Sequence, residues 1–465
     1  MAEQPVNLAK VRVRERVVVN VDSPAARWIG ALALLSVFCW LVVLLARDYH
    51  HHANLHAAGR LAWSLIILAA VALIARGIFL GRPVTAAHAS WAMVVLLVGL
   101  GARVLSFGVL GAVLIAGAGL VLMWPTTSKP EPAALPRMWR LVNATRGDAL
   151  APFVLQPLRS FHFSPDGTAA IGYRTRMGFA VVGGDPVGDE TRFPELVADF
   201  VAMCHGRGWR IMVVACSEHR LPLWRNAAVV GQSMMVVPIG RDVVIDVQRF
   251  DMVGRKYRNL RQAVQRTHNC GITTEVVAEQ EIDDRLQAEL AEVLYASHGG
   301  AHFERGFSMM LDGALERRYP GISLIIARDR AGRVQGFHRY ASAGGGQDVT
   351  LDVPWRRPGA PNGIDERLSV DMIYEAKDHG AQRLSLAFAA FPEIFTAKDR
   401  GLIQTFFYKA IHLLDPLIAL ESLYRYLRKF HALDGRRYAL VSVQHIPHAL
   451  VVLLSLEFLP RRRHL

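Results

Sequence analysis

With 465 residues, 52% of them hydrophobic, and a formal net charge of +13, the chain is too apolar to be disordered and too charged to be membrane spans alone. The apolar excess is concentrated in the first quarter.

In chain order, residues 1–27 are polar and basic and are not followed by the small-residue cleavage pattern of a signal peptide. Four apolar runs come next, at 28–46, 61–80, 88–105 and 108–124. Each is near the ~20 residues that carry a helix across about 30 Å of hydrocarbon. The last two would fuse into one over-long run, so a reversal marked by Gly101, Arg103 and Gly108 is expected. Basic residues set the orientation. Lys10, Arg12, Arg14, Arg16 and Arg27 precede the first run, Arg76 and Arg82 lie between the second and third, and Lys129, Arg137 and Arg140 follow the fourth. With four spans all three groups fall on one side. The expectation is a multi-pass protein of the cell (inner) membrane, with both its N-terminus and its large C-terminal part in the cytoplasm. Arg103 then sits in a short external turn. The loop RDYHHHANLHAAGR, 47–60, is external too and reads as solvated rather than as a weak metal or pH-sensitive site. Cys39, Cys204, Cys216 and Cys270 form no CxxC or Cys/His metal spacing, so neither a disulfide nor a structural zinc is expected.

A Pro-rich linker, 125–140, leads into about 330 residues of alternating elements. Residues 153–157 and 162–188 read as strands, with a turn at Pro165, Asp166 and Gly167. Residues 193–209 read as an amphipathic helix and 210–217 as a buried strand. A helix at 281–298, a hairpin at 322–343, a strand at 348–355, a helix at 367–381 and a strand at 382–389 follow. The first half is a loose copy of the second. This is the order of tandem N-acetyltransferase-like (GNAT-like) mixed-sheet domains, set here at 141–270 and 271–465. The expected fold is an α-helical membrane region of about four spans, 28–124, joined to this α/β cytoplasmic part.

Six strings in order make the likeness more specific: GGDPVG (183–188), VIDVQRFDMVGRKYRNLRQAVQR (244–266), ERGFSMML (304–311), GRVQGF (332–337), RRPGAPNG (356–363) and LSLAFA (384–389). With them, residues 150–438 resemble the C-terminal domain of the bacterial phosphatidylglycerol lysyltransferases, which belong to the aminoacyl-phosphatidylglycerol synthases. The resemblance implies transfer of an amino acid from aminoacyl-tRNA to a hydroxyl of phosphatidylglycerol, lowering the negative charge of the membrane. Aminoacyl-tRNA, the anionic lipid and the membrane are then the partners, and no cofactor or metal is implied. The chain departs from the pattern in places. The Arg expected three residues after Asp352 is replaced by Trp355, with Arg356 next to it, and Ala387 stands where Asn is common. Ala432, Asp434 and Arg436 replace an expected Trp and Pro between Lys429-Phe430 and Arg437-Tyr438. A divergent member with an unusual donor amino acid is implied.

At 100° per residue, Val253, Tyr257, Leu260 and Val264 share one helix face, with Arg255, Arg258 and Arg266 opposite and Lys256 and Arg261 at the flanks. Cations so spaced can meet successive tRNA phosphates; a solvated basic face and contact with anionic lipid heads are the alternatives. Asp185, Gly184 and Gly188 are candidates for close approach of backbone to substrate, against a plain turn. Asp352 and Arg356, with Asp185, are the catalytic candidates, and a loop-capping Asp is the alternative for Asp352. Lys429 and Arg437 are candidates to bind the tRNA acceptor end or the lipid phosphate, against a solvated helix end, and Asn362 is a further substrate-binding candidate. A coenzyme A loop of the form Arg/Gln-x-x-Gly-x-Gly/Ala fails at Pro361. The expected function is therefore a membrane-anchored aminoacyltransferase whose spans anchor it and do not flip lipid. An acyl-CoA-dependent N-acyltransferase and a non-catalytic RNA- or lipid-binding protein are the alternatives.

Overall fold

The computed structural model describes residues 17–19, 39, 84–105, 108–297, 303–304, 311, 313–390, 420–457 and 461–462. The expected spans at 28–46 and 61–80, the His-rich loop and most of ERGFSMML lie outside the described residues. The chain divides into two compact units, Met1–Thr127 with Ala202–Arg210, and Ser128–Val201 with Ile211–Leu465.

In the first unit, helices α1 (Ala86–Val104) and α2 (Gly108–Leu122) coincide with the third and fourth apolar runs. A Cβ on Gly99 would stand 2.9 Å from the Leu114 Cβ and 3.0 Å from the Gly111 carbonyl, so the two helices meet backbone to backbone. The break falls after Val104, which leaves Gly101 and Arg103 inside α1 instead of in a turn. Among the described residues, no helix is long and apolar enough to cross a membrane. The 15 residues of α2 extend only about 22 Å at 1.5 Å per residue, short of the hydrocarbon core. His88, Ser90 and Arg103 shorten the apolar stretch of α1.

The second unit is built on a sheet of 12 strands. The strands are β1 (Ser160–Phe163), β2 (Ala169–Arg176), β3 (Phe179–Gly183), β4 (Arg210–Ser217), β5 (Met235–Asp246), β6 (Thr273–Ala278), β7 (Ile322–Arg328), β8 (Val334–Ala343), β9 (Asp348–Arg356), β10 (Arg383–Ala390) and β11 (Leu433–Val441), with a short bridge at Val187–Gly188. The helices used below are α3 (Leu135–Ala144), α4 (Phe193–Gly206), α5 (Arg258–Asn269), α6 (Asp284–Ser297), α7 (Ile364–Asp378), α8 (Leu420–Leu427) and α9 (Ile446–Glu457). Spatial order is β1-β2-β3-β4-β11-β5-β10-β9-β8-β7-β6. At the centre, β11 from the end of the chain lies between β4 and β5, and β5 from the first half pairs with β10 of the second. Each half thus lends its last strand to the other, and the mixed sheet runs unbroken through both.

A strand was expected at 153–157, but residues 151–155 form a buried 3-10 turn. Pro152 removes a ladder donor there and suits the first position of a helical turn. In the second half, α7 packs Leu368, Met372 and Ile373 against Tyr340, Leu351 and Leu384 on one sheet face. On the opposite face α6 packs Leu290, Val293 and Leu294 against Phe337 and Trp355. In β9, Val353 lies opposite Arg339 and Leu351 opposite Tyr340, so Asp352 is the extra residue of a β-bulge.

Candidate active site

A cleft of about 230 Å³ opens at the central strands. Ser217 and His219 at the end of β4, Asp242 and Val244 of β5, Asp348 and Thr350 of β9, Arg383 and Ser385 of β10 and Asp434 to Arg437 of β11 line it. Exchange of the last strands brings these five strand ends together. The rim is ordered by Asp348, which accepts from Gly147 N at 3.1 Å and pairs with Arg383 at 2.6 Å.

Arg437, 2% exposed, is the electrostatic hub of the cleft. Its Nε donates to Asp242 at 2.8 Å, Nη1 to Asp185 and to the Ala215 carbonyl at 3.2 Å each, and Nη2 to Asp148 at 2.7 Å. One guanidinium thus holds three buried carboxylates. Burial first, then the charge of Asp148, raises the Asp185 carboxyl, against the pull of Arg437 and Ser217. Burial pushes Asp242 up to about 6, and Arg437 offsets only part of that. The Asp242 Oδ1 makes no hydrogen bond among the described residues. A carboxylate that lines a cleft, keeps a free oxygen and titrates near neutrality is suited to accept a proton or hold an ammonium group.

The expected site residues fall in four places. Asp185 and Arg437 meet at this hub. Arg437 has four of its five N–H bonds committed to the protein, so it organises carboxylates and does not present its charge to a phosphate. Gly184 turns the chain at φ +88° and donates to Val214 O at 2.8 Å, which places Asp185 beside Ser217 N. Gly188 lies on the short bridge, where a Cβ would come 2.1 Å from the Thr168 carbonyl, so strand pairing itself requires its bareness.

Asp352 is elsewhere. The bulge turns its side chain to the α6 face, where Oδ2 accepts from Arg339 at 2.9 Å and Oδ1 from Leu311 N at 2.8 Å. Arg339 also binds Glu279 at 2.8 Å, and the side chains of all three are essentially buried. Burial raises the Asp352 carboxyl, with Arg339 opposing. Arg356 leaves β9 on the α7 side and lies 3.5 Å from Asp365. The bulge thus puts the two catalytic candidates Asp352 and Arg356 on opposite faces of the sheet.

Arg356, Lys429 and Asn362 gather at the start of α7. Lys429 pairs with Glu366, and His338 Nε2 lies 3.3 Å from Asp365. Burial raises the Asp365 carboxyl, but the His338 hydrogen bond and the nearby Arg356 and Lys429 outweigh it and hold it below its ordinary value. Asn362 is exposed just before Gly363, whose φ of +101° and close approach to the Ala263 carbonyl dock this loop on α5.

On α5 and the 3-10 turn Arg255–Tyr257 that leads into it, Tyr257, Leu260, Ala263, Val264 and Thr267 are buried, while Arg255, Lys256, Arg258, Arg261 and Arg266 are exposed. Val253 is 72% exposed, because Gly254 at φ +91° breaks the helical phase before it. Arg261 is spent on the Met252 and Gly254 carbonyls. Arg255, Arg258 and Arg266 make no ion pair among the described residues, so their charge faces solvent. Sequence reasoning missed Asp242 and Asp148. For Asp242, an Asp leading into the apolar run Val243, Val244 and Ile245 was a usable signal, since a buried carboxylate requires a partner.

Comparison with known proteins agrees with this architecture. Residues 139–441 match the family model described as phosphatidylglycerol lysyltransferase, C-terminal. The MprF-like domain protein Rv1619 of Mycobacterium tuberculosis is 67% identical over 456 residues, covering 98% of this chain and 94% of that protein. The lysylphosphatidylglycerol biosynthesis bifunctional protein LysX of Rhodococcus jostii is 29% identical over 282 residues, 60% of this chain but only 25% of that protein. Among solved structures, L-PGS from Bacillus licheniformis superposes with a TM-score of 0.60 at 19% identity, over 71% of this chain and 98% of that one. A C-terminal domain of the lysylphosphatidylglycerol synthetase type from Agrobacterium fabrum gives 0.59 at 23% identity, over 70% and 98%. At these identities the two structures speak to the fold.

Proposed function

Because the chain belongs to the phosphatidylglycerol lysyltransferase C-terminal family, we propose that it moves an amino acid from aminoacyl-tRNA to a hydroxyl of phosphatidylglycerol or a similar lipid, with its apolar N-terminal quarter as membrane anchor. The observation that carries the chemistry is Asp242, with its unpartnered oxygen, its place in the cleft and a carboxyl pushed up to about 6. In this reading the lipid hydroxyl attacks the ester carbonyl of the aminoacyl end, and Asp242 takes the hydroxyl proton. The bond from the carbonyl carbon to the ribose oxygen breaks, and that oxygen receives the proton as it leaves. Asp242, Glu218 and Asp434 are the lining carboxylates that hold the donor's ammonium group, in a cleft that also carries Arg383, Arg436 and Arg437. Arg437 keeps the hub from collapsing by mutual repulsion.

The unpaired Arg258 and Arg266 of α5, with Arg255 and Lys256 of the turn before it, support a polyanionic donor. The start of α7 argues against acyl-CoA: where an acetyltransferase presents bare backbone N–H groups to pyrophosphate, this first turn carries Asp365 and Glu366.

The test is transfer. Membranes containing the protein are incubated with a pool of radiolabelled aminoacyl-tRNAs and the lipid is extracted. Label in lipid, abolished by ribonuclease pretreatment, is expected. No label from any amino acid in the pool would overturn the reading.

A further inference from the structure

Helix α9 is apolar on both sides. Ala449, Val452 and Leu456 are buried in the core that contains Phe179, Met212 and Val214. Pro447, Leu450, Val451 and Leu454, at i, i+3, i+4 and i+7, form an outward stripe. Leu450 and Val451 are 53% exposed and Leu454 39%. Val443, in the turn before the helix, and Met177, at the β2–β3 turn, are exposed beside them. The Met177 turn is tied to α9 by Arg176 Nε, which donates to Ser455 Oγ at 2.9 Å. Ile446 to Leu456 contain no formally charged side chain, and the sequence after the helix runs Phe-Leu-Pro-Arg-Arg-Arg over 458–463.

We propose that α9 is a lipid-docking helix, whose outward stripe lies in the surface of a bilayer rich in anionic phospholipid while the following arginines engage its head groups. Twelve residues are too few to span a bilayer but suit an in-plane contact. The apolar side chains match the acyl boundary of such a surface, and the arginines that follow in the sequence, of which Arg461 and Arg462 pair along the backbone with Glu304 and Phe303, supply cations for its anionic heads. A second copy of the chain fits less well. The stripe with Val443 and Met177 offers on the order of 400 Å², about half of what each partner buries in a standard protein interface. The docking does not depend on the transferase activity, since lipid contact is read without turnover.

The test uses the full chain in vesicles. Cys39 and Cys270, the exposed cysteines, are replaced by Ser, and an environment-sensitive fluorophore is placed on Leu454→Cys or, as reference, on Glu195→Cys. In vesicles of neutral lipid with phosphatidylglycerol, the probe at 454 is expected to shift to the blue and to be quenched by nitroxide-bearing lipid, and the probe at 195 to do neither. High salt should reduce the effect at 454. A probe at 454 as wet as that at 195 overturns the proposal. So does a blue shift without lipid quenching, which would mean a protein cover: a second copy if the shift falls on dilution into excess lipid, an N-terminal segment of the same chain if it does not. Leu450→Glu with Leu454→Glu leaves the buried face intact. It is expected to keep the thermal transition and lose the lipid contact, reported by the same fluorophore on Val451→Cys.

Discussion

Two buried arginines sit on strands of the same sheet and do different work. Arg339 of β8 holds Glu279 and Asp352 in a closed pocket against α6. Arg437 of β11 holds Asp148, Asp185 and Asp242, one carboxylate more, and lines the cleft. The first cluster fixes the bulge of β9 and the chain at Leu311, and its charges face inward. The second lies beside an opening, and there burial first, with the charge of Asp148 added, lifts Asp242 to about 6 against the pull of Arg437. A buried ion pair by itself therefore marks neither stability nor function. Its charge balance and its access to solvent decide which.

The largest expected effect is loss of the fold on Arg437→Met. Three buried carboxylates would lose their shared cation, at a cost of about 3–5 kcal/mol each time a buried pair of this kind is broken. Chemical denaturation should show a collapse of the transition midpoint. If the variant unfolds like the wild-type chain, the hub is not electrostatically held as the geometry implies. Restoring balance by Arg437→Met with Asp148→Asn, Asp185→Asn and Asp242→Asn should recover the transition but not transfer.

Next comes the division of labour between two carboxylates. Asp242→Asn is expected to cut lipid labelling by 10²–10⁴-fold, the ordinary size of a general-base contribution, with little loss of fold. Asp352→Asn should mainly lower stability, because it weakens the Arg339 cluster away from the cleft. A larger loss of turnover from Asp352→Asn, at equal folded fraction, would reverse the assignment. The pH dependence carries a second readout. The folded-state value for Asp242 lies above its ordinary 3.8, at about 6, so the folded protein holds this proton longer than the unfolded chain. Its contribution to stability is full below 3.8 and falls, by on the order of 2–3 kcal/mol, as pH rises to about 6. Transfer should rise with pH over the upper part of that window, and Asp242→Asn should flatten both profiles.

Much of the fold was legible in the sequence because hydrophobic period and turn chemistry are local. The helices at α4, α6 and α7 and the hairpin of β7 and β8 carry their own signals. The exchanged strands were not legible: nothing in residues 235–246 or 433–441 says that they will lie side by side, since strand neighbours are chosen by the whole sheet. The site suffered most from this. Asp185 and Arg437 were singled out separately, 252 residues apart, and only the exchange makes them partners. The separation of Asp352 from Arg356 was not legible either, because a single bulge moves a side chain to the other face at no cost visible in residue spacing.

The smallest expected effect, and the one that separates the cleft from the basic face, concerns α5. Replacing Arg255, Arg258 and Arg266 by Ala removes cations that have no acidic partner, so folding should change little and the thermal transition should stay in place. Binding of tRNA should weaken, and the slope of log affinity against log salt should fall by about 2, since each phosphate contact to RNA contributes about 0.7. Arg261→Ala is the internal contrast. Its guanidinium is tied to the Met252 and Gly254 carbonyls, so it should alter the loop before α5 more than the salt slope. An unchanged slope in the triple variant would remove α5 from the donor site. The cleft chemistry would still stand, because the lining residues of the cleft do not include any of these arginines.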